Sequence, residues 1–428
     1  MLQTKAVGKE YHTQTNHSYF SVKLDPNYVD ASTQPVAYKT YPQFYRRYPL
    51  KQDNSTHELI RLTSTITLEQ VYKNWTAQLR VIPSAGGLYP TEMYVQIRGI
   101  EGIIDGLYHL EVAKNILTLI YELIDDGLEA YICPGKKVKG LIFLVSCVYF
   151  RSSWKYKNRS LRYCFLDSGH HLGAIEAAAY FYNQRVEVIF DFDKLGLNED
   201  LGFENKEFVT GCVVVGEYEG KNCRKFRLNL PFVTGTDYFE SSPFIERGYR
   251  ETIAPKSKTQ SLVYPQFNYD KDRFFQIIIA RRSVRCFRRN SISKADFLAI
   301  CQDILQPIPT VSWEDLEFFY LVNRVEGMES GIYKGNELIS KGDFSEKAGY
   351  LCINQGIAKD SAVALFLVSN YQNYQTASQL AGFMGQRVYL ASNYRGIGCS
   401  GIGAYYDEET KEFLATDKDV LYVMAIGN

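Results

Sequence analysis

Short apolar runs of strand length alternate along the chain with two long apolar segments that are rich in glycine and alanine. The runs predict strands in both halves of the chain, over residues 92–98, 141–150, 186–190, 208–215, 316–323, 362–368 and 421–426. The long segments, 166–182 and 380–394, exceed the usual length of a strand and predict two buried helices. Ser293 and Asp296 form a capping pattern for a third helix that reaches about Leu305. Strands and helices mixed in this way predict an α+β fold.

The order of these elements occurs twice along the chain. Residues 97–108 align with residues 322–333, and a glutamate, two glycines and a tyrosine recur there at the same spacing. A strand that ends in a glycine turn and returns as a second strand explains both segments. Each half then continues through its long helix and closes with an apolar strand and a glycine. The sequence therefore predicts a tandem duplication that folds as an intramolecular pseudo-dimer.

The length of the chain and one polar segment suggest where the two halves divide. The 428 residues are enough for two or three domains, each with a core of its own. Residues 220–264 are rich in glycine, proline, serine, threonine and lysine, a composition that is typical of a linker. We therefore expect an N-terminal half over residues 1–219 and a C-terminal half over residues 265–428.

Charge and hydropathy exclude several classes of protein. The formal net charge is zero and charged residues are 22% of the chain, so no basic field favours nucleic acid or a membrane surface. No apolar run approaches the roughly 18 residues that span a bilayer, and the first residues lack the apolar core of a signal peptide. Nine cysteines without metal-ligand spacing predict reduced, buried thiols and no metal site. We expect a cytoplasmic protein that binds neither nucleic acid nor membrane.

A basic pentad in the second half is the first candidate for ligand binding. Arg281, Arg282, Ser283 and Arg285 place three guanidinium groups and a hydroxyl within five residues. That set can hold a phosphate and the polar edge of an attached ring. Taken alone, such a run is more often a solvated basic loop.

A turn of small residues in the first half is the second candidate. Pro83, Ser84, Ala85 and Gly86 form a stretch whose backbone can lie flat against the face of a ring. Taken alone, it is more often an ordinary turn. Each half lacks the motif that the other half has, so we expect one cofactor to bind where the halves meet.

Several blocks of the chain, taken in order, carry a resemblance to a known family. They are residues 11–18, 34–42, 83–90, 150–156, 166–170 and 401–407. Together these blocks resemble the FMN-dependent nitroreductase superfamily, and within it the SagB-type azoline dehydrogenases in their tandem two-domain form. The resemblance covers nearly the whole chain.

The resemblance implies FMN as the cofactor and assigns a role to each motif. In ordinary nitroreductases two identical subunits build the flavin sites at their interface. The residues that match the phosphate and pyrimidine loop of one subunit are Arg281, Arg282, Ser283 and Arg285. Those that match the turn beside the ring, from the other subunit, are Pro83, Ser84, Ala85 and Gly86. Gly401, Ile402 and Gly403 match a stretch whose backbone lies near the isoalloxazine.

Departures from the family pattern predict one FMN per chain. The first half has no Arg-x-Ser-x-Arg, and its nearest basic cluster, residues 46–48, lacks the serine. The second half has residues 306–311 where the small-residue turn would fall, and they contain no glycine. One site is therefore complete, and its twin has lost both motifs.

Lys155 and Tyr156 are the remaining candidates for chemistry. Beside Lys157, Arg159 and Arg162 they would ordinarily be assigned to an exposed basic surface. The resemblance favours catalysis, because the peptide dehydrogenases use a Lys-Tyr pair that matches these positions. Conversion of an azoline to an azole removes a hydride and a proton from the ring, and such a pair can take the proton.

The sequence thus supports a first hypothesis and two alternatives. The first is an FMN-dependent dehydrogenase that oxidises azolines in a ribosomally made peptide, passes electrons to dioxygen and works beside a cyclodehydratase. The second is an NAD(P)H-dependent flavin reductase of small nitro, quinone or enone compounds. The third is a scaffold subunit of a peptide-modifying complex, with or without flavin. The sequence leaves open the peptide or small molecule that is the substrate, the preference for thiazoline or oxazoline, whether dioxygen or another acceptor reoxidises the flavin, retention of activity and pairing with a second copy.

Overall fold

A computed structural model gives the fold and describes residues 8–25, 28–73, 76–253, 262–313 and 315–428. Its strands are β1 Arg47–Pro49, β2 Ile66–Val71, β3 Thr76–Arg80, β4 Thr91–Arg98, β5 Gly106–Glu111, β6 Ile116–Glu122, β7 Lys137–Val148, β8 Glu187–Ile189, β9 Glu207–Glu219, β10 Leu316–Val322, β11 Gly331–Lys334, β12 Glu337–Lys341, β13 Val363–Ser369, β14 Gly398–Ile402 and β15 Asp419–Gly427. All the predicted strands are present, with their ends shifted by a few residues.

The helices of the described residues alternate with these strands. They are α1 Lys9–Gln14, α2 Tyr19–Leu24, α3 Ser55–Leu62, α4 Glu129–Ile132, α5 Phe150–Tyr156, α6 Ser160–Phe181, α7 Lys194–Asp200, α8 Pro243–Glu251, α9 Lys271–Ala280, α10 Lys294–Ile304, α11 Ser345–Leu351, α12 Gly356–Asp360, α13 Tyr374–Tyr394 and α14 Asp407–Phe413. Helix α10 begins after Ser293, whose hydroxyl accepts the amide of Asp296 as the capping pattern predicts. The predicted α+β fold is confirmed.

Two large antiparallel sheets and a small hairpin make up the β structure. The order in the first sheet is β1-β6-β5-β4-β7-β9-β8, and that in the second is β12-β11-β10-β13-β15-β14; β2 and β3 form the hairpin. Apart from the edge strand β1, corresponding strands occupy the same places in the two sheets. An internal duplication would produce this shared order. The duplication and the proposed domain limits stay predictions.

The repeated glycine-and-tyrosine pattern has a clear structural basis. Strands β4 and β5 pair across one glycine turn, and β10 and β11 pair across the other. In the first turn the Tyr108 hydroxyl donates to the Ile104 carbonyl, at 2.6 Å. In the second, the Tyr333 hydroxyl donates to the Glu329 carbonyl, at 2.9 Å. The tyrosine therefore recurs because it ties each turn back to the strand that follows it.

The two long helices, α6 and α13, pack directly against each other at the centre of the molecule. A Cβ at Gly169 would collide with the Gln379 carbonyl oxygen and lie 2.7 Å from the Phe383 nitrogen. A Cβ at Gly382 would likewise meet the backbone of Leu166. Glycine is needed at these two positions because the two helix backbones touch there.

Both long helices begin six residues before their predicted starts, α6 at Ser160 and α13 at Tyr374. The apolar pattern failed there because the first turns carry polar residues. Arg162 in α6 and Gln375 in α13 are nonetheless buried and hydrogen-bonded. Buried polar groups with partners do not appear in a hydrophobic pattern.

The predicted linker contains structure of its own. Helix α8 lies within it, begins at a serine cap and buries Ile245 and Tyr249. The Tyr249 ring stacks on Phe208 of β9 with centroids 4.1 Å apart. The part of the linker over residues 254–261 lies outside the described residues. No helix in the described part of the chain is long and apolar enough to cross a membrane.

The cysteines carry no disulfide, and most are buried or half-buried. Cys286, directly after the basic pentad, is exposed. The prediction of buried thiols is therefore wrong at this position, because the loop that carries Cys286 lies at the surface.

Replacement of Gly169 by alanine should destabilise the protein by about 1–3 kcal/mol or more, because a buried helix backbone cannot give way to the new methyl group. The gain in helix propensity, about 1 kcal/mol, is too small to offset this. Denaturant unfolding would measure the change. Gly220→Ala is the matched control, since nothing lies within 4 Å of a Cβ there. An unchanged midpoint for Gly169→Ala would contradict the close approach of the helices.

Candidate functional site

The predicted turn at residues 83–86 is held in place by helix α6. The Ser84 hydroxyl donates to the Asp167 carboxylate at 2.6 Å and accepts the Tyr89 amide at 2.9 Å. The Ala85 amide donates to the other carboxylate oxygen at 3.3 Å. Gly86 has φ of +66°, a left-handed conformation that glycine adopts without strain. These hydrogen bonds therefore fix the conformation of the turn and its orientation relative to α6.

Pro83 is buried beneath this turn, while Gly86 is exposed on it. At Gly87, where φ is +68°, a Cβ would have no described atom within 4 Å, so the space above this backbone is open. A flat ring could lie against that backbone. The contact of residues 83–86 with a ring stays a prediction.

Asp167 is the residue on which the turn rests, and the sequence pattern did not single it out as a site residue. Burial raises the pKa of its carboxyl to about 7, and the hydrogen bonds from Ser84 and Ala85 oppose that rise. Its position could have been noticed from the sequence as a charged residue inside an apolar, small-residue helix. The predicted start at residue 166 placed Asp167 in the first turn of that helix, where an acidic residue is common and does not stand out.

Arg281, the first residue of the pentad, joins the two halves of the chain. Its Nε donates to the Val81 carbonyl at 2.7 Å and its Nη2 to the Arg80 carbonyl at 3.2 Å, just before the turn. Its guanidinium lies over the Tyr389 ring, 5.0 Å from the centroid. Its Nη1 is buried and has no hydrogen-bond partner among the described residues. A buried donor without a partner is costly, and an anion or ring carbonyl would satisfy it.

The other pentad residues differ in what they leave available. The Arg282 guanidinium donates to three backbone carbonyls, those of Thr67, Ile279 and Arg281, so it is committed to holding the loop. The Ser283 hydroxyl hydrogen-bonds the Tyr389 hydroxyl at 2.8 Å. Arg285 is exposed, and its side chain has no hydrogen bond to a described residue. Arg285 is therefore the pentad guanidinium most accessible to a ligand.

The predicted stretch 401–403 runs along β14 beside the pentad. The Gly401 amide donates to the Tyr389 hydroxyl at 2.8 Å, and Ile402 points into the core. The Tyr163 hydroxyl donates to the Gly403 carbonyl at 3.1 Å. A Cβ at Gly401 or Gly403 would collide with a tyrosine side chain, so both positions need glycine.

Tyr389, on α13, was not predicted and links the two C-terminal segments. Its hydroxyl joins Ser283 and Gly401, and its ring lies under the Arg281 guanidinium. A tyrosine in an apolar helix gives no signal in the sequence that distinguishes such a role from packing.

Lys155 and Tyr156 end helix α5 and lie at the turn. A Cβ at Gly86 would be 2.7 Å from the Tyr156 hydroxyl oxygen and 3.4 Å from the Lys155 Nζ. The Tyr156 ring packs on that of Tyr163, with centroids 4.3 Å apart. Burial, with smaller contributions from Tyr163 and Asp167, raises the pKa of Tyr156 well above its ordinary value. The structure thus brings the pair and the turn together.

The expected exposed basic face beside this pair is only partly present. Lys157 is exposed, but Arg159 and Arg162 are buried. Both arginines pair with Asp407, at 2.8 Å and 2.6 Å. That part of the prediction is wrong, because their partner comes from the far end of the chain.

In the predicted duplication, residues 306–311 correspond to the small-residue turn of the first half. The backbone of this segment is bound by an arginine that also belongs to an ion pair. Arg387 of α13 donates to the Pro307 carbonyl at 2.9 Å and to the Gln306 and Ile304 carbonyls. The same guanidinium pairs with Glu176 of α6, at 2.6 Å. The hydrogen-bonding groups and the charge of Arg387 are therefore satisfied by protein groups.

His170 and His171 of helix α6 are buried in the core. His170 hydrogen-bonds Gln386 and Tyr422, and His171 hydrogen-bonds Ser64. Burial lowers the pKa of each imidazole to about 3. No group of three or more potential metal ligands is present in the part of the chain that the structure describes.

Comparisons with known proteins identify the fold. Residues 278–428 match the model of the nitroreductase family. A putative nitroreductase from Anabaena variabilis ATCC 29413 superposes with a TM-score of 0.83 at 24% identity, over 99% of both chains. The chain has the nitroreductase fold. The matched segment includes the pentad and residues 401–403, whereas the turn at 83–86 and the Lys-Tyr pair lie outside it.

A curated relative gives a weaker match. The chain is 24% identical to a putative nitroreductase of Methanocaldococcus jannaschii, over 26% of this chain and 63% of that protein. The chain therefore spans less than two thirds of the length of this relative. Neither name specifies a substrate, and the azoline specificity stays a prediction.

Replacement of Asp167 by asparagine should stabilise the protein more at pH 8 than at pH 5. In the unfolded chain an Asp carboxyl has a pKa of about 3.9, and in the folded protein burial raises the pKa of Asp167 to about 7. The folded state therefore binds more protons between these values, and its stability falls as pH rises towards 7. Asparagine removes that loss, roughly 1–4 kcal/mol at pH 8.

Urea unfolding of both proteins at the two pH values would measure this difference. Asp272→Asn makes the same chemical change at an exposed position of α9 and is the control. An equal effect of Asp167→Asn at pH 5 and pH 8 would mean that the carboxyl does not titrate in this range.

Proposed function

We propose that the protein is an FMN-dependent dehydrogenase that oxidises thiazoline or oxazoline rings to thiazoles or oxazoles in a ribosomally made peptide. The nitroreductase fold supports an oxidoreductase. The observation that carries the finer proposal is the meeting of Lys155 and Tyr156 with the turn at Gly86. A pair that can handle a proton lies where the turn would face a bound ring.

The residues at this site fit an FMN in several ways. The partnerless Nη1 of Arg281 and the exposed Arg285 can bind its phosphate or a ring carbonyl. The small-residue turn and the backbone of residues 401–403 can approach the ring closely. Arg282 and Ser283 would act by keeping the loop in shape, since their polar groups already have protein partners.

Oxidation of an azoline removes two electrons, as a hydride from one ring carbon, and a proton from the neighbouring carbon. When bound, FMN supplies the acceptor for the hydride, and dioxygen is the expected final acceptor of the electrons. Tyr156 is held neutral by its raised pKa, so it can donate a hydrogen bond but is not the base. Lys155 is then the group that takes the proton, and Tyr156 orients the substrate ring beside it.

The peptide substrate implies a partner. An azoline forms by cyclodehydration of a Cys, Ser or Thr residue, so a cyclodehydratase must supply the substrate and is the partner that we propose. We place this reaction in the cytoplasm, and pairing with a second copy of the chain stays open.

One FMN should bind per chain, and Arg285→Ala should weaken its binding about ten- to a hundredfold. A charge-assisted hydrogen bond contributes roughly 1.5–3 kcal/mol. Because Arg285 has no hydrogen bond to a described residue, its loss should leave the fold unchanged. Fluorescence titration of flavin-free protein measures both values, with Arg288→Ala as the control at a nearby exposed arginine. Two flavins per chain, or unchanged affinity in Arg285→Ala, would mean that the proposed location of the flavin site is wrong.

Lys155→Ala should leave FMN bound and lower the rate of azoline oxidation by about 10²–10⁴, the usual contribution of a positioned base. Tyr156→Phe keeps the ring and should lose less. Lys157→Ala, two residues away at an exposed position, is the control and should retain the wild-type rate. Near-wild-type turnover by both site variants would mean that the base lies elsewhere.

The same assay distinguishes the alternative functions. We expect a synthetic thiazoline peptide to bleach the flavin under anaerobic conditions faster than NAD(P)H does. Rapid bleaching by NAD(P)H alone would instead support the reductase. A protein that takes up no flavin would support the scaffold.

A further inference from the structure

Asp167 differs from the other buried carboxylates of the described chain. Each of the others lies within 4 Å of a cationic side chain: Glu58, Glu92, Glu111, Asp126, Glu129, Glu176, Glu207, Asp407 and Asp419. Asp167 is equally buried, with 4% exposure, and no cation of the described residues pairs with it. An isolated buried carboxylate is costly, so its retention at this place suggests a role in the site.

The position of Asp167 indicates what that role is. Its two oxygens accept from the Ser84 hydroxyl and the Ala85 amide, and Ser84 in turn accepts the Tyr89 amide. The two bonds to Asp167 join α6 to residues 84 and 85 of the turn, and the third ties the chain beyond the turn back to Ser84. Hydrogen bonds to an ionised carboxylate are roughly twice as strong as those between neutral groups. Ionisation therefore strengthens the two bonds that hold the turn, although burial of the charge lowers the stability of the protein as a whole.

We propose that Asp167 is a positioning residue that fixes the small-residue turn for flavin binding, and that it does so in its ionised form. This inference rests on the proposed function, because it assigns the turn to the flavin. The carboxylate touches the turn and has no assigned contact with the substrate.

The groups around Asp167 do not titrate in the same range. Tyr156 of α5, Tyr422 of β15 and Cys147 of β7 face it, and burial raises the pKa of each well above neutrality. His170, on the same helix, stays neutral because burial lowers its pKa to about 3. The Nζ of Lys155 also lies beside the turn, near Gly86. Compared with the two tyrosines, the cysteine and the histidine, Asp167 is then the group whose charge changes between pH 6 and 8.

The first test measures flavin affinity from pH 6 to pH 8. Riboflavin is the main probe, because it lacks the phosphate that itself ionises near pH 6, and FMN is measured beside it. Wild-type protein should bind riboflavin about three- to tenfold more tightly at pH 8 than at pH 6. The free energy of a charge-assisted hydrogen bond exceeds that of a neutral one by an amount that corresponds to about this change in affinity. Asp167→Asn should show no such pH dependence, and Asp167→Glu should restore part of it.

Two further variants separate positioning from a general effect of charge. Ser84→Ala keeps the carboxylate and removes its closer donor, so it should reduce the pH dependence. Asp272→Asn, at an exposed position, should keep it. If Asp167→Asn binds riboflavin with the wild-type pH dependence, the inference is overturned while the proposed function stands.

The second test needs no flavin. Hydrogen exchange of the peptide over residues 84–89, which contains the Ala85 and Tyr89 amides, is compared between wild type and Asp167→Asn at pH 6 and pH 8. We expect the wild-type peptide to be better protected than the variant at pH 8 and to lose that advantage at pH 6. Equal protection at both pH values would overturn the inference, even in a protein that proves to bind no flavin.

Discussion

The contact between helices α6 and α13 is the constraint on which the rest of the structure depends. The two backbones touch at Gly169 and Gly382, so the helices cannot shift along each other without a collision. Helix α6 carries Asp167, which holds the turn from the first half, and α13 carries Tyr389, which holds the pentad and β14. The geometry of the candidate site is therefore set by one rigid helix pair and only indirectly by the loops that line it.

A second constraint comes from the N-terminal segment, which is far from the block at residues 401–407 in the sequence but contacts it in the fold. Asp407 accepts from Arg162 of α6, from Arg159 directly before that helix and from the His17 amide. Arg159 also donates to the Gly403 carbonyl, at 3.2 Å. Removing one member would leave an unpaired buried charge, which is far more costly than losing an exposed ion pair. The block at residues 11–18 thus contributes by fixing the backbone at the end of β14.

The sequence predicted what depends on local patterns, and it failed where partners are distant. The strands, the α+β fold and the paired glycine turns follow from periodicity and turn residues. Arg282 illustrates the failure, because its partners include the carbonyl of Thr67, which no local pattern places beside it. Asp167 and Tyr389 were missed for a related reason, since a polar group inside an apolar helix gains its meaning only from the neighbouring helix or turn.

The asymmetry between the two halves can be argued from two buried arginines. Arg281 donates to carbonyls that precede the turn at residue 83, and Arg387 donates to carbonyls that precede the turn over residues 308–311. Arg387 is neutralised by Glu176, whereas no carboxylate of the described residues pairs with Arg281. A buried cation without a counter-charge favours an anionic ligand, and a buried ion pair does not. The two positions therefore differ in charge balance, and an anionic ligand is favoured at the side of the helix pair where Arg281 lies and not at the side of Arg387.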